Sequence, residues 1–322
     1  MAKPESIFSS ASSANFQPRL ESRQLWGKIF SIVCLAATLF GLIILAVLIV
    51  DVFHDGLPRF NADLITQPPS FRPAKAGFRV ALMGSLAMLT FVLLLAVPIG
   101  VASAIYLEEY APKNKLTAFI ELNIYNLAGV PSIVYGILGL GLFVRGLYGG
   151  GAPVLMAGAL TVALLILPPI IVVGREAIRS VPQSVRQASY GVGATKWQTV
   201  RHHVLPSAMP GILTGVIIST SRGVGETAPL VVLGVGTVQS DPSISLLNLN
   251  ALFGGRFSET LKGTVWAKDN FFSVLPYQVY EWVGDPKAQF QTLASAGIIL
   301  LMLVVLGMNA IAIYFRSRTP KL

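Results

Sequence analysis

Charge is scarce in this sequence. Only 12% of its 322 residues are Asp, Glu, Lys or Arg, and 53% are hydrophobic, whereas soluble domains carry about 25% charged residues. The mean hydropathy of the chain is +0.67. Such a shortage of charge excludes an ordinary water-soluble domain and indicates a membrane protein.

Cysteine and catalytic motifs are also scarce. The single cysteine, Cys34, excludes an intrachain disulfide and a cysteine metal cluster. His202 and His203 are adjacent, so on a helix they point about 100° apart and form a poor pair of metal ligands. The phosphate-binding pattern G-x-x-x-x-G-K-[S/T] does not occur, and no Ser/His/Asp grouping converges. We therefore predict no catalytic site, no metal, no cofactor and no nucleotide site within the chain.

The net charge of +9 has two readings. A nucleic-acid partner would need a continuous basic patch with interleaved aromatic side chains, and long apolar runs interrupt the basic residues here. A membrane protein with the positive-inside bias explains the charge better. We therefore expect membrane lipid, and no nucleic acid, around this chain.

Six apolar segments are each long enough to cross a bilayer, since about 20 apolar residues span its core. They predict an all-α polytopic membrane protein whose transmembrane domain (28–322) follows a polar tail (1–27). The first segment is too long to be the core of a cleaved signal. The segments are residues 29–50, 80–107, 116–144, 152–173, 209–235 and 290–315.

Lysine and arginine predict the orientation of these spans. The tail, the loop at 108–115, the hydrophilic segment 175–206 and the C-terminus hold most of them, although the loops on the opposite side are longer. The positive-inside rule therefore places both termini and segment 175–206 in the cytoplasm, and a long loop at 236–287 outside.

Segment 175–206 carries signals for two short helices. Ser180 with Gln183, and Thr195 with Gln198, each have the form of a capping box. They predict one helix that runs to about residue 190 and a second that ends near residue 204, before a proline. Glycines between the two helices allow a turn, and an exposed tryptophan on the second helix would suit a docking contact.

The same segment resembles the EAA loop of bacterial ABC-importer permeases. The sequence Gln-Ala-Ser, three residues, Gly, nine residues and His-Val-Leu-Pro follows the family pattern of Glu-Ala-Ala, three residues, Gly, nine residues, Ile, one residue and Leu-Pro. The resemblance implies a coupling helix that sits in a cleft of an ATP-binding subunit. The residues expected to dock there are Gln187, Ala188, Ser189, Gly193, Trp197, Leu205 and Pro206.

Three further stretches resemble the PstA-type permease subunit of phosphate importers. They are AIYLEEYA (104–111), NLAGVPSIVYG (126–136) and RGVGETAPL (222–230). The resemblance covers about residues 75 to 235. It implies that the chain transports phosphate together with a PstC-type permease partner, two ATP-binding subunits and an external phosphate-binding protein.

Polar residues within the spans are candidates for a translocation path. In the fifth predicted span Gly211, Gly215, Ser219, Arg222 and Glu226 recur at steps of 4, 4, 3 and 4, which is one helix face. Ionisable groups are costly in hydrocarbon, so this face should point into the bundle. The alternative is a structural ion pair that locks helices together. The path candidates are Arg222, Glu226, Ser219 and Asn126.

Other functions stay open at this point. A permease for another oxyanion or polar solute would carry the same loop. A secondary transporter would need no separate ATPase, and a membrane-bound enzyme would need a convergent catalytic set. The six-span, loop-bearing architecture favours a transport subunit over an enzyme.

Overall fold

The computed structural model describes residues 20–147, 155–236 and 272–317. Every regular element in these ranges is a helix. Five helices are long and apolar enough to cross a membrane, and a bent helix pair provides a sixth crossing if it counts as one span. The predicted all-α polytopic class is confirmed. Most of the predicted tail and of the long loop at 236–287 lies outside the described residues.

Helix α1 (Leu20–Gly56) contains the first predicted span. Its residues from 24 to 51 are exposed. The apolar run inside α1 has the highest hydropathy of the candidate spans, as expected of a segment that lipid surrounds.

The second span is a long helix that ends in a wider turn. After the short helix α2 (Ala62–Thr66), helix α3 (Arg79–Ile105) continues into a π-helical turn, Tyr106–Tyr110. Pro98 lies inside α3 without ending it, because neighbouring helices in a bundle can satisfy the backbone groups that a proline frees. The predicted turn at 108–115 therefore begins in helical structure.

The third span is broken. Helix α4 (Lys115–Ala128) and helix α5 (Ser132–Gly139) are bent by 102° at the three residues between them, and α5 continues into a π-helical turn, Leu140–Leu147. The predicted segment 116–144 is therefore a bent pair of helices, which forms the sixth crossing if it counts as one span. Proline disfavours the α conformation in the preceding residue and cannot donate a backbone hydrogen bond, so Pro131 ends one helix and begins another.

Helix α6 (Leu155–Arg179) is the fourth span. It extends beyond the predicted end at residue 173, because Arg175 and its neighbours find ionic partners on other helices and need not leave the helix to reach water. Glycines let helices approach it closely: Gly100 of α3 meets Ile170. α6 lies at the centre of the bundle, and most of its residues are buried.

The hydrophilic segment contains helix α7 (Gln183–Gly191) and helix α8 (Lys196–Thr199). The capping box of Thr195 and Gln198 is confirmed. The one at Ser180 was wrong, because its hydroxyl donates to the carbonyl of Ala177 at 2.8 Å and Pro182 takes the N-cap position.

The predicted stop before Pro206 was also wrong. α8 continues through a π-helical turn, Val200–Val204, into helix α9 (Leu205–Gly225). A proline in a helix clashes with the carbonyl four residues before it, and the wider π turn at that place changes the hydrogen-bond pattern. Pro206 then sits in the first turn of α9, directly after the π turn.

The fifth predicted span is broken as well. α9 ends at Gly225, Glu226 is extended (φ −74°, ψ 114°), and helix α10 (Ala228–Leu233) follows. Pro229, in the first turn of α10, was the available signal for this break.

The last described helices are α11 (Leu275–Val283) and α12 (Ala288–Ser317), which holds the sixth span. Trp282 of α11 is buried between Phe78 and Phe290, with ring centroids 4.6 and 5.5 Å away. Trp282 therefore belongs to a hydrophobic cluster rather than to an exposed surface.

Candidate functional site

The two broken spans meet. The hydroxyl of Tyr135 in α5 donates to the carbonyl of Leu127 near the end of α4 at 2.9 Å. Next to it, a Cβ on Gly136 would lie 2.7 Å from the Cα of Pro229 at the start of α10. α5 and α10 therefore hold the break before Pro131 close to the break at Glu226.

This contact gives a stability prediction. Gly136→Val should lower the thermal unfolding midpoint of the purified complex, because the Cβ would press on the Pro229 backbone, and such overpacking costs about 1–3 kcal/mol. Gly141→Ala, at a position with nothing within 4 Å, is the control and should leave the midpoint unchanged. Equal midpoints for the two variants would contradict the close packing of α5 on α10.

The break at Glu226 lies level with the middle of α6, which is a candidate membrane span. Gly223, close to the end of α9, packs on Val162 and Ile166 of α6. At 1.5 Å per residue these positions lie about 10 to 16 Å from the start of α6. Non-helical backbone at membrane depth is tolerated where it is buried in protein or lines a water-filled cavity. The junction of the two breaks is thus a candidate for substrate contact.

Arg222 and Glu226 stand at this junction. The Arg222 Nε lies 3.3 Å from Glu226 Oε1, and the two side chains are 54% and 18% exposed. Both residues belong to the same end of α9, so their ion pair does not join two helices. Exposed pairs of this spacing contribute about 0.3–0.5 kcal/mol, which is too little to lock a bundle.

The residues predicted to share one face of α9 divide into two groups. Gly211 and Gly215 pack against Ala177 and Val173 of α6, and Ser219 is buried. Arg222 is instead exposed on the surface of this chain. The small residues of this face therefore let α9 pack closely on α6. The charged residue Arg222, near the end of α9, is exposed.

Asn126 is exposed near the end of α4. Its backbone carbonyl accepts a hydrogen bond from Gly129 at 3.1 Å, which closes the last turn before the break. Thr220 was not a candidate in the sequence analysis. Its buried hydroxyl has no hydrogen-bond partner among the described residues.

Four of the seven predicted docking residues lie at the exposed tip of the α7–α8 segment. Gln187 and Ala188 are exposed, and Trp197 is 57% exposed. Gly193 has a φ of +85°, the left-handed conformation that glycine adopts most readily. Val192, which sequence reasoning missed, is 86% exposed. The tip therefore exposes apolar side chains, as surfaces that bind partners often do.

Other residues of that set hold the segment in shape. Ser189 is buried and shares a 2.9 Å hydrogen bond with the hydroxyl of Thr199, which joins α7 to the end of α8. Leu205 and Pro206 are half-buried at the start of α9. Their positions suit a supporting role under the exposed tip.

A network of partly buried ion pairs was not predicted. It joins the π turn after α3 to α4, α6 and α7, and Arg175, Arg186 and Glu109 have almost no exposed side chain. Sequence reasoning assigned these arginines to the positive-inside bias, although the acids on the same side were a signal for pairing. The pairs are Arg175–Glu108, Arg175–Glu121, Arg179–Glu108 and Arg186–Glu109.

Comparison with solved structures supports the fold, and a family match defines the class of protein. The fold is similar to a chain of a bacterial alginate ABC transporter in complex with a pentasaccharide-bound periplasmic protein, with a TM-score of 0.57 and 16% identity over 90% of this chain and 96% of that one. Residues 96–320 match the family described as binding-protein-dependent transport system inner membrane component. The chain belongs to this family of permeases.

Two relatives are similar over most of the chain. A probable ABC transporter permease of Bacillus subtilis, YqgI, is 33% identical over 86% of this chain and 92% of its own length. The phosphate transport system permease protein PstA 1 of Mycobacterium tuberculosis is 35% identical over 70% of this chain and 66% of its own length. The resemblance to PstA-type permeases is confirmed.

The family and the fold give the general function. The chain is a multi-pass inner-membrane permease subunit of an ABC importer, and it transports rather than catalyses. Such a subunit works with a second permease, an ATPase and a substrate-binding protein.

Proposed function

We propose that this chain is the PstA-type permease subunit of a phosphate importer, with a PstC-type permease, ATP-binding subunits and an external phosphate-binding protein as its partners. The observation that carries the proposal is an arginine at membrane depth, Arg222, on a chain whose relatives include a phosphate transport permease. Phosphate is the substrate class that both features favour.

An exposed guanidinium at this depth does not face lipid, because a charge in hydrocarbon is costly. The surface that carries Arg222 and Glu226 therefore faces water or the second permease. The planar fork of an arginine can donate to two phosphate oxygens at once. Glu226 keeps the fork in place when no anion is bound and yields to the anion during transport.

Asn126 and Ser219 complete the proposed path in different ways. Asn126 is exposed beside the other helix break and offers an amide to the passing anion. Ser219 is buried behind Arg222, one helical turn earlier, and keeps α9 close to α6. We assign substrate contact to Arg222 and Asn126, and a supporting role to Ser219.

The docking of the ATPase is the second part of the proposal. Both termini and the α7–α8 segment lie in the cytoplasm, as the positive-inside rule predicts. The exposed tip with Trp197, Val192, Gln187 and Ala188 inserts into a cleft of the ATP-binding subunit. Closure of the ATP-bound subunits moves this tip, and α8, which is continuous with α9, carries the motion to Arg222.

Reconstitution tests the proposal. The four-component complex in liposomes should hydrolyse ATP faster when the loaded phosphate-binding protein is added, and it should accumulate phosphate but not sulfate or molybdate. Import of another oxyanion would assign the chain to a different substrate. Uptake that needs a proton gradient and no ATP-binding subunit would contradict the assignment altogether.

A further inference from the structure

Arg186 of α7 makes more polar contacts with the body of the protein than any docking residue described above. Its Nε and Nη2 lie 3.0 and 2.6 Å from Glu109 Oε1. Its Nη1 donates to the carbonyl of Val181 at 2.7 Å, and Nη2 donates to that of Ile178 at 3.0 Å. The side chains of Arg186 and Glu109 are 9% and 7% exposed. A single buried pair thus joins α7 to the π turn that ends α3.

Neighbouring contacts extend this connection. Glu108, next to Glu109, accepts hydrogen bonds from Arg179 at 3.1 and 3.0 Å and from Arg175 at 3.3 Å. Arg175 also reaches Glu121 of α4 at 2.8 Å. The two acids of the π turn therefore contact α6 and α7, and Arg175 links α6 to α4.

The burial of this ion pair is not explained by a gain in stability. Removing a guanidinium and a carboxylate from water often costs more than their attraction returns, so well-packed apolar residues would stabilise a fold as much. A salt bridge with additional hydrogen bonds does, however, define one orientation of α7 relative to α3. An apolar contact would allow the two elements to slide.

We propose that Arg186 and Glu109 are positioning residues for energy coupling: their ion pair makes α7 and the end of α3 move as one body, so that motion of the docking tip reaches the transmembrane helices. This inference rests on the proposed docking of the tip on an ATPase. It adds a second route of transmission, through α3, to the continuous helix from α8 to α9.

Three variants of the complete complex test the link: Arg186→Gln, Glu109→Gln and the double variant. Each single variant leaves a buried charged or polar partner unpaired and should also lower the yield of complex. The double variant removes both charges and should recover the yield. Import per ATP hydrolysed should nevertheless stay about tenfold below that of the wild type, within the usual range of coupling effects.

The recovered double variant separates coupling from folding. If its import per ATP returns to the wild-type value together with the yield, the pair is merely structural and the proposal is wrong. Lys115→Gln removes an exposed cation from the start of α4 at the same end of the bundle, and it should change neither quantity. Arg186→Lys keeps the charge but not the planar fork of donors. Its import per ATP hydrolysed should lie between the values of the wild type and of Arg186→Gln.

A measurement of motion keeps this inference distinct from the substrate assignment. Nitroxide labels at Lys113 and Ser184, both exposed, with Cys34 replaced by serine, report the distance between the end of α3 and α7 by pulsed electron resonance. ATP trapping should leave this distance unchanged in the wild-type background. In the double variant it should broaden the distribution of distances, whatever anion the complex imports. A distance that changes equally in both backgrounds would overturn the proposal.

Discussion

Arg222→Gln should reduce phosphate uptake about 100-fold, the usual effect of removing a charged group from a buried anion contact. The side chain is 54% exposed in this chain and its ion pair stays within the end of α9. Loss of the guanidinium should therefore leave the helices assembled. The reduction is measured as uptake of radioactive phosphate into liposomes that contain equal amounts of complex.

Two comparisons make this result specific. Arg222→Lys keeps a positive charge without the two-pronged fork, so uptake should recover only in part. Arg72→Gln removes an exposed arginine from the segment between α2 and α3 and should leave uptake unchanged. If Arg222→Gln prevents assembly of the complex instead, the residue is structural and its proposed contact with phosphate is wrong.

Trp197→Glu should release the ATP-binding subunit from the purified complex and bring uptake to background. Tryptophan is enriched among the residues whose truncation costs 2 kcal/mol or more at an interface, which is about 30-fold in affinity. A carboxylate at that position would also lose its water on docking. Because Trp197 is 57% exposed, the permease itself should fold normally. Co-purification of the ATP-binding subunit measures the release.

The conservative variant Trp197→Phe provides the control. It keeps an aromatic ring and should retain most of the ATP-binding subunit. Val192→Glu, at the other exposed apolar position of the tip, should weaken docking in the same direction. A Trp197→Glu complex that keeps its ATP-binding subunit and hydrolyses ATP with normal coupling would show that the tip is not the docking site.

Local signals within one helical turn gave mixed results. The Thr195–Gln198 capping box is confirmed by the structure. The similar pattern at Ser180 failed because the Ala177 carbonyl and Pro182 compete for the same positions. Prolines likewise gave opposite results: Pro131 breaks a span, whereas Pro206 begins a helix after a π turn.

Interactions between distant residues could not be predicted from this one sequence. Arg186 and Glu109 are 77 residues apart, with α4, α5 and α6 between them, and nothing in their spacing relates them. The closeness of the two breaks depends on how α5 packs on α10. The outward position of Arg222 depends on where α9 stops, although its place on the glycine face predicted that it would point into the bundle.

By itself, the sequence determined that this protein crosses a membrane with helices, that it resembles PstA-type permeases and that it has a loop suited to docking. The first property follows from composition and from the length of apolar runs, and the other two follow from motifs that resemble those of a known family. Only the tertiary structure decided where two spans break, which side of α9 is exposed and how α7 is held to α3. Such features arise from packing and ion pairing between segments far apart in the chain, and local spacing does not record them.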